Sequence, residues 1–302
     1  MTRSLKTLAA VAAVSALALA GCSTSADNAD NTDISANEDI IATDLSSLQK
    51  VDEVAALVPE EVSKDGKLTV GDNIYYAPAE FYAADGTTAQ GYDIDLAKAL
   101  AAVMGLEADV QQSEFDSILP GIPTKYEMGI ANFTATTERQ ENYDMIQYFA
   151  VGSSWVAEKG NPKNFSADDI CGKTVGVQTG TVQDEAILEL AEACGDNAPS
   201  VERMDEQSQV TTKLAGGQLD AMYCDSSVAD YAVAQTGDAL EVVSSDEGTD
   251  PIAAVTEKDS EMTKAVQAAL QYLMDEGVLA DIFKTWGISE NVSTEAVLNP
   301  AQ

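Results

Sequence analysis

The sequence contains no histidine among its 302 residues, and it is poor in positive charge. Without histidine, a serine–histidine–aspartate triad, histidine acid–base catalysis and the commonest metal ligand are all excluded. Lysine and arginine number 16 against 51 aspartate and glutamate residues, which gives a formal net charge of -35. A nucleic-acid surface needs clustered cations, so the composition excludes a nucleic-acid partner. The sequence also lacks a zinc-type cysteine spacing, a Walker loop and an EF-hand loop, and we expect no cofactor and no metal.

The N-terminus, residues 1–21, is predicted to be a signal peptide. Arg3 and Lys6 precede an apolar run over residues 8–20 that is too short for a good membrane span. The run ends in Leu19-Ala20-Gly21-Cys22, which resembles a bacterial lipobox, so we expect lipid attachment, palmitate included, at Cys22. The alternative is a plain signal peptide with an incidental cysteine. Several acyl chains hold a protein to a membrane far better than one, which predicts a lipid-anchored chain on the extracytoplasmic face of the cell membrane.

Low-complexity composition marks both ends of the mature chain. Residues 22–64 are rich in Asp, Asn, Ser, Thr and Ala and contain no aromatic residue. This composition predicts a flexible acidic tether, with a short helix over residues 45–57. Residues 289–302 are predicted to be a loose C-terminal tail.

Three further cysteines follow the anchor: Cys171, Cys194 and Cys224. An exported chain permits a disulfide. Cys171 precedes a predicted strand and Cys194 ends the helix after it, so a strand–helix return can bring the two together. Cys224 lies in an apolar strand and is expected to pack as a small buried residue. Three pairings are open, and a disulfide between Cys171 and Cys194 is the one we expect.

Between these ends, strand-like apolar runs alternate with helical periodicity. Lys67-Leu68-Thr69-Val70-Gly71 reads as a strand, and residues 92–104 read as a helix that stops at Gly105. Repeated alternation predicts an α/β architecture with mainly parallel sheets. The length of this part favours two lobes over one.

Polar loops follow several predicted strands, where α/β folds place their ligands. In Asn132-Phe133-Thr134-Ala135-Thr136-Thr137-Glu138-Arg139, a strand end is followed by a helix start and a guanidinium, donors that suit a carboxylate. Thr179-Gly180-Thr181-Val182-Gln183 repeats the glycine turn and helix start. Asp225 follows another strand and could accept from an ammonium group. The alternatives are a solvated arginine for Arg139 and a plain helix cap for Asp225.

Five motifs occur in order along the chain: Gly66-Lys67-Leu68-Thr69-Val70-Gly71, Gly91-Tyr92-Asp93-Ile94-Asp95-Leu96-Ala97, Thr134-Ala135-Thr136-Thr137-Glu138-Arg139, Gly172-Lys173-Thr174-Val175-Gly176-Val177-Gln178-Thr179-Gly180-Thr181 and Gln218-Leu219-Asp220-Ala221. Together they resemble the amino-acid-binding proteins of ABC importers, the solute-binding proteins of family 3, from about Gly66 to Ile288. The resemblance implies the two-lobed type II periplasmic-binding-protein fold, in which each lobe is a mixed sheet flanked by helices and two crossover strands form the hinge. It marks Tyr92 to Asp95 as residues of the fold.

The resemblance also implies a role for each candidate site residue at the carboxylate end of an amino acid. Arg139 is expected to bind the α-carboxylate. Thr134 and the turn Gly180, Thr181 and Val182 are expected to assist it.

At the other end of the ligand, the resemblance implies that Asp225 binds the α-ammonium group, together with the Asn132 carbonyl. Tyr76 and Phe115 are expected to lie on either side of the ligand side chain. A zwitterion needs one cationic and one anionic anchor, and charge-assisted hydrogen bonds supply both.

The implied mechanism is capture by closure of two lobes. Residues 65–152 with 252–288 are expected to form the first lobe, and residues 153–251 the second. The closed monomer would deliver its amino acid to ABC permease subunits, and no enzyme activity is expected. Two alternatives stay open: a cyclohexadienyl-type dehydratase on the same fold, with a carboxylate such as Glu80 as its acid or base, and an extracellular amino-acid sensor partner.

Two departures from the family pattern leave the side-chain specificity open. Ala79 stands where the family often has phenylalanine, and Asn73 stands where an acid selects basic side chains in some relatives. Asp72, Glu80 and Glu114 lie nearby in the sequence. They either favour a cationic ligand or belong to the general surface acidity, and we expect the latter.

Overall fold

A computed structural model describes residues 41–122, 124–237 and 239–301. The predicted signal peptide, the lipid-attachment residue Cys22 and the predicted tether up to residue 40 lie outside the described residues. The helices are α1 Asp52–Ala55, α2 Glu60–Asp65, α3 Tyr92–Met104, α4 Phe115–Gly121, α5 Thr137–Asn142, α6 Val182–Glu192, α7 Gln207–Ala215, α8 Ser226–Gln235, α9 Glu261–Asp275 and α10 Val278–Thr285. The strands are β1 Lys67–Asp72, β2 Tyr75–Tyr76, β3 Glu80–Tyr82, β4 Ala89–Gln90, β5 Glu107–Gln112, β6 Met128–Thr134, β7 Tyr143–Val151, β8 Ser153–Glu158, β9 Thr174–Gln178, β10 Ser200–Met204, β11 Ala221–Asp225, β12 Leu240–Ser245 and β13 Asp250–Glu257.

Two five-stranded sheets divide the chain into two lobes. The first has the order β5-β1-β6-β13-β7 and the second the order β10-β9-β11-β8-β12. In each sheet three strands are parallel and the remaining two join in antiparallel fashion. The chain passes from the first sheet to the second between β7 and β8 and returns between β12 and β13. The predicted fold class, two mixed sheets flanked by helices with two crossings, is confirmed. The residue bounds given for the lobes stay a prediction.

Helix α3 forms the centre of the first lobe, because almost all of its side chains are buried. Gly91 precedes it with φ 136°, and a Cβ there would lie 2.0 Å from the Ala79 carbonyl oxygen, so only glycine fits. The Tyr92 ring stacks on Phe283 of α10 with 4.8 Å between the ring centroids. Within the described part of the chain, none of the helices has the length and apolar character that crossing a membrane requires.

Residues 41–64 were predicted to belong to a flexible tether. The structure corrects this prediction, because the segment packs against the first lobe. Thr43 donates from its backbone N–H and its hydroxyl to Asp95 Oδ2, at 2.8 and 2.9 Å. Trp286 Nε1 donates to the same oxygen at 3.1 Å. The spaced side chains Ile41, Leu45, Leu48 and Val51 pack against the core. Aliphatic residues at helix-like spacing therefore dock this segment although it lacks aromatics, and its helical part is shorter than predicted, Asp52–Ala55 only.

The predicted loose tail is also corrected, because residues 289–301 lie along β7. Val292 and Leu298 form isolated bridges with Phe149 and Ile146. Ala296 is buried. Asn299 Oδ1 accepts from the Met145 N–H at 2.9 Å. The tail thus forms backbone hydrogen bonds with β7, an edge strand of the first sheet.

The structure joins Cys171 to Cys194 by a disulfide, with 5.4 Å between the Cα atoms. Cys224 is free and buried in β11. Burial raises the pKa of the Cys224 thiol well above its ordinary value, which keeps the thiol protonated and unreactive.

Asp144 links the tail to helix α9 through hydrogen bonds. Its carboxylate accepts from Asn299 Nδ2, Lys258 Nζ, the Asp259 N–H and Thr263 Oγ1, at 2.9 to 3.2 Å. Burial alone would raise the pKa of Asp144, but these hydrogen bonds outweigh burial and hold the pKa below its ordinary value.

We therefore expect Asp144→Asn to lower the free energy of unfolding at pH 7 by roughly 1.5–3 kcal/mol, the value of hydrogen bonds to a charged group. Because the folded pKa lies below the unfolded one, the unfolded state binds more protons. The stabilisation is present above the unfolded pKa and is lost as the pH falls through the folded pKa. Denaturant unfolding at several pH values measures this, with Asp281→Asn on the exposed face of α10 as the control. A deficit equally large at pH 7 and pH 3 would contradict the assignment.

Candidate functional site

The ends of parallel strands from the two sheets face each other across the molecule. β6 ends at Thr134, β9 at Gln178 and β11 at Asp225. Gln178 Nε2 donates to Asn73 Oδ1 of the other lobe at 2.9 Å. The carboxyl ends of parallel strands are where open α/β sheets bind ligands, so these residues define the candidate site.

Asp225 is the centre of the hydrogen bonds between the lobes. Its Oδ2 accepts from the Tyr76 hydroxyl at 2.9 Å and from Asn132 Nδ2 at 2.7 Å. Its Oδ1 accepts from Gln183 Nε2 at 2.7 Å. Burial raises the pKa of Asp225, while the hydrogen bonds from Tyr76, Asn132 and Gln183 act in the opposite direction. Although Asp225 stands at the start of α8, its side chain makes no capping hydrogen bond, so the helix-cap alternative does not describe what the carboxylate does.

Arg139 lies at the opposite side of the same site, on the short helix α5. Its guanidinium donates to the Thr134 carbonyl at 2.9 Å and, across the lobes, to the Gly180 carbonyl at 3.1 Å. The rings of Phe115 and Phe133 lie 5.7 and 5.8 Å away. Among the described residues it forms no salt bridge. Burial lowers its pKa. Two carbonyls and two ring faces contact this partly buried cation, so guanidinium donors remain for an anion.

Asn132, which donates to Asp225, has an unusual backbone conformation. Its φ of 49° lies in the left-handed region, which asparagine tolerates better than most residues. Its N–H donates to Asp93 Oδ2 at 2.8 Å, and its side-chain oxygen accepts from the Tyr92 hydroxyl at 2.9 Å. Tyr148 also donates to Asp93 Oδ2, at 2.8 Å. Residues of helix α3 and β7 thus hold Asn132 in place.

The predicted site residues converge on one small cavity. Its lining consists of Tyr76, Phe115, Ala131, Asn132, Thr134, Arg139, Gln178, Thr181, Val182, Gln183 and Asp225. Gly180 is absent from this lining but accepts from Arg139 through its carbonyl. With φ 77° and 3.1 Å between a built Cβ and Asp116 of α4, its position favours glycine. The cavity volume is about 10 Å³, roughly the room that one water needs.

Two glutamines of the site were missed by the sequence reasoning. Gln183 donates to Ser153 Oγ as well as to Asp225, both at 2.7 Å, and Gln178 reaches across to Asn73. Gln183 is the second residue of α6, two positions after the cap residue Thr181. Its position two residues after Thr181 could have indicated a site residue. An amide at the polar start of a helix is, however, usually solvated.

Two acidic residues behind the site, Asp72 and Glu80, correct the expectation of surface acidity, and Asp93 is buried beside them. Asp72, Glu80 and Asp93 are fully buried, whereas Glu114 is exposed as expected. Both carboxylate oxygens of Asp72 lack a hydrogen-bond partner among the described residues. Glu80 has none there besides the Asp93 carboxyl, with which it shares a hydrogen bond when one of the two is protonated. Burial raises the pKa of Asp72 and of Glu80 well above the ordinary value, and it raises the pKa of Asp93 to about 7. A buried carboxyl avoids the cost of desolvating a charge by staying protonated. No set of these acids, or of other described residues, is arranged to hold a metal ion.

A family model, "Bacterial extracellular solute-binding proteins, family 3", matches residues 68–289. The match covers more than half of the chain, and the chain belongs to this family. The homologues are amino-acid-binding proteins, in agreement with the resemblance of the sequence motifs.

Individual relatives are also amino-acid-binding proteins. The arginine-binding protein ArgT of Corynebacterium glutamicum is 33% identical over 254 residues, which cover 82% of this chain and 83% of that protein. The structure of an ancestral arginine-binding protein bound to arginine is similar, with a TM-score of 0.69 and 31% identity over 73% of this chain and 98% of that one. An ancestral amino-acid-binding protein described as a precursor of cyclohexadienyl dehydratase is also similar, with a TM-score of 0.68 and 26% identity over 76% of this chain and 99% of that one.

We expect Gln183→Met to raise the pKa of Asp225 further, because a donor that favours the ionised carboxylate is lost. A carboxyl-carbon NMR titration measures that pKa directly. Gln267→Met is the matched control, since the Gln267 amide donates to the Ala296 carbonyl instead. An unchanged pKa of Asp225 in folded Gln183→Met would show that the Gln183 hydrogen bond does not hold the charge.

Proposed function

We propose that this chain captures an amino acid between its two lobes and delivers it to the permease of an ABC importer. One observation carries the proposal: Arg139, a guanidinium with no salt bridge among the described residues, and Asp225, a buried carboxylate, line the same cavity from opposite lobes. A zwitterion presents the matching charges, and pairing is what makes burial of both tolerable.

Binding requires the lobes to part, because the cavity holds no more than about one water at about 10 Å³. The α-ammonium group then takes acceptor positions on Asp225 that Tyr76 and Asn132 occupy in the closed arrangement. The α-carboxylate lies against Arg139, near Thr134 and the α6 start at Thr181. Closure about the two crossings excludes water, which strengthens both ionic contacts.

Arginine is the first ligand to test, because two of the three relatives described above are arginine-binding proteins. Asn73 and Gln178 form a neutral amide pair between the lobes. Neutral amides bind a guanidinium less tightly than a carboxylate does, so glutamine is the second ligand to test.

The dehydratase alternative finds no support in the site. Glu80, the carboxylate proposed for it, is fully buried and does not line the cavity. The family consists of binding proteins, and we propose no enzyme activity.

The anchor and the transport partner are further parts of the proposal. Leu19-Ala20-Gly21-Cys22 supports cleavage before Cys22 and lipidation of its thiol. The lobes would then stand on the extracytoplasmic face of the membrane, where the closed monomer can dock on the permease.

We expect Arg139→Ala and Asp225→Asn each to weaken amino-acid binding by about a hundredfold or more, since losing one partner of a buried charge pair costs about 3–5 kcal/mol. Calorimetric titration with arginine and glutamine measures this. Lys284→Ala and Asp281→Asn, both exposed on α10, remove the same charges away from the site. Affinity of Arg139→Ala within threefold of the parent chain would refute the carboxylate assignment.

The anchor is tested by Cys22→Ser in the full chain, expressed in a bacterium that processes lipoproteins. We expect the parent chain to incorporate a labelled fatty acid and to enter the detergent phase on partition, and Cys22→Ser to do neither. Labelling that persists in Cys22→Ser would place the lipid elsewhere.

A further inference from the structure

A second and larger cavity lies between the small sheet β2–β4 and helices α7 and α8. Its volume is about 410 Å³, against about 10 Å³ for the cavity at Asp225. The lining residues are Tyr75, Ala77, Phe81, Tyr82, Gln207, Ser208, Thr211, Val228, Tyr231, Ala232, Gln235 and Thr236. The walls therefore come from both lobes.

This cavity is separate from the amino-acid site. The two share no lining residue among the described residues. Neighbouring side chains of a strand point to opposite faces, and on β2 Tyr76 lines the amino-acid site while Tyr75 lines the second cavity. Two hydrogen bonds, Tyr76–Asp225 and Asn73–Gln178, join the two lobes.

The chemistry of the walls is aromatic and uncharged. Tyr75 and Tyr82 meet edge to face with 5.6 Å between ring centroids, and Phe81 lies 5.6 Å from Tyr231 across the lobes. No lysine, arginine, aspartate or glutamate is among the lining residues. Aromatic walls favour stacked or edge-to-face contact with another ring.

One lining residue has an unmet hydrogen-bonding need. Gln207 is 2% exposed, and its Oε1 has no hydrogen-bond partner among the described residues. Its Nε2 makes only a long contact of 3.6 Å to Met222 Sδ. Buried amide oxygens are nearly always satisfied, but less than 1 Å² of this oxygen is exposed, so a molecule in the cavity does not reach it.

We propose that this cavity is a second ligand site, for an uncharged planar aromatic molecule. The rings of Tyr75, Phe81 and Tyr231 line the cavity from both lobes and contact the aromatic body. Since the molecule touches both lobes, it binds the closed arrangement better than the open one. By thermodynamic linkage, the aromatic molecule then raises the affinity for the amino acid. The amino acid raises the affinity for the aromatic molecule by the same factor.

The test uses the full mature chain and four probes: phenol, indole, cyclohexanol and choline. Calorimetry and saturation-transfer NMR measure binding without any amino acid, which keeps this arm independent of the proposed function. We expect phenol and indole to bind at one site, and cyclohexanol and choline to bind at least tenfold more weakly. A second titration with arginine at saturating phenol is expected to show about fivefold tighter arginine binding or more, a typical allosteric coupling.

Matched variants locate the site. Thr211→Phe fills the cavity, and Thr212→Phe places the same ring on the exposed face of the same helix. We expect only Thr211→Phe to abolish phenol binding.

Equal phenol binding by Thr211→Phe and Thr212→Phe, with both folded by thermal melting, would overturn the site. Binding of choline or cyclohexanol as tight as that of phenol would overturn its chemistry. Phenol binding that leaves the arginine affinity unchanged would overturn the coupling. If phenol binds and no amino acid does, the proposed function fails while the second site stands.

Discussion

The carboxylate of Asp225, buried where the two lobes meet, is the constraint on which the rest of the structure depends. A buried charge is tolerable only when hydrogen bonds or an opposite charge compensate it. Tyr76 and Asn132 of the first lobe and Gln183 of the second provide that compensation in the closed arrangement. When the lobes part, the two donors of the first lobe withdraw. In the proposed mechanism, a ligand ammonium group then replaces them, and this exchange would link binding to closure.

The supporting residues explain why the fold surrounds this carboxylate with buried polar groups. Asn132 reaches Asp225 from a left-handed backbone position, and Asp93, Tyr92 and Tyr148 fix that position from behind. Asp72 and Glu80 complete a buried acidic group whose raised pKa values favour the protonated state. A protonated group adds no negative charge behind Asp225. The net charge of the chain thus says little about the charge at the site itself.

The sequence predicted those parts of the fold and of the site that follow a local pattern. The alternation of strands and helices predicted the α/β fold, and strand ends followed by polar helix starts pointed to Arg139, Thr181 and Asp225. It could not reach pairs such as Asn73–Gln178, because 105 positions separate the partners and neither amide carries a pattern. It also treated Asp72 and Glu80 as surface acids, since protonation through burial is a property of the packed structure. The docking of residues 41–64 depended on Asp95 and Trp286, both distant in sequence.

The central claim is that the lobes hold the two charged poles of one zwitterion. The most direct test is a calorimetric titration of the parent chain with its best-binding amino acid and two analogues, the amine that lacks the α-carboxylate and the acid that lacks the α-ammonium group. The account predicts that each analogue binds about a hundredfold more weakly or worse, because each leaves one buried charge unpaired. An analogue that binds within a few-fold of the amino acid would contradict it.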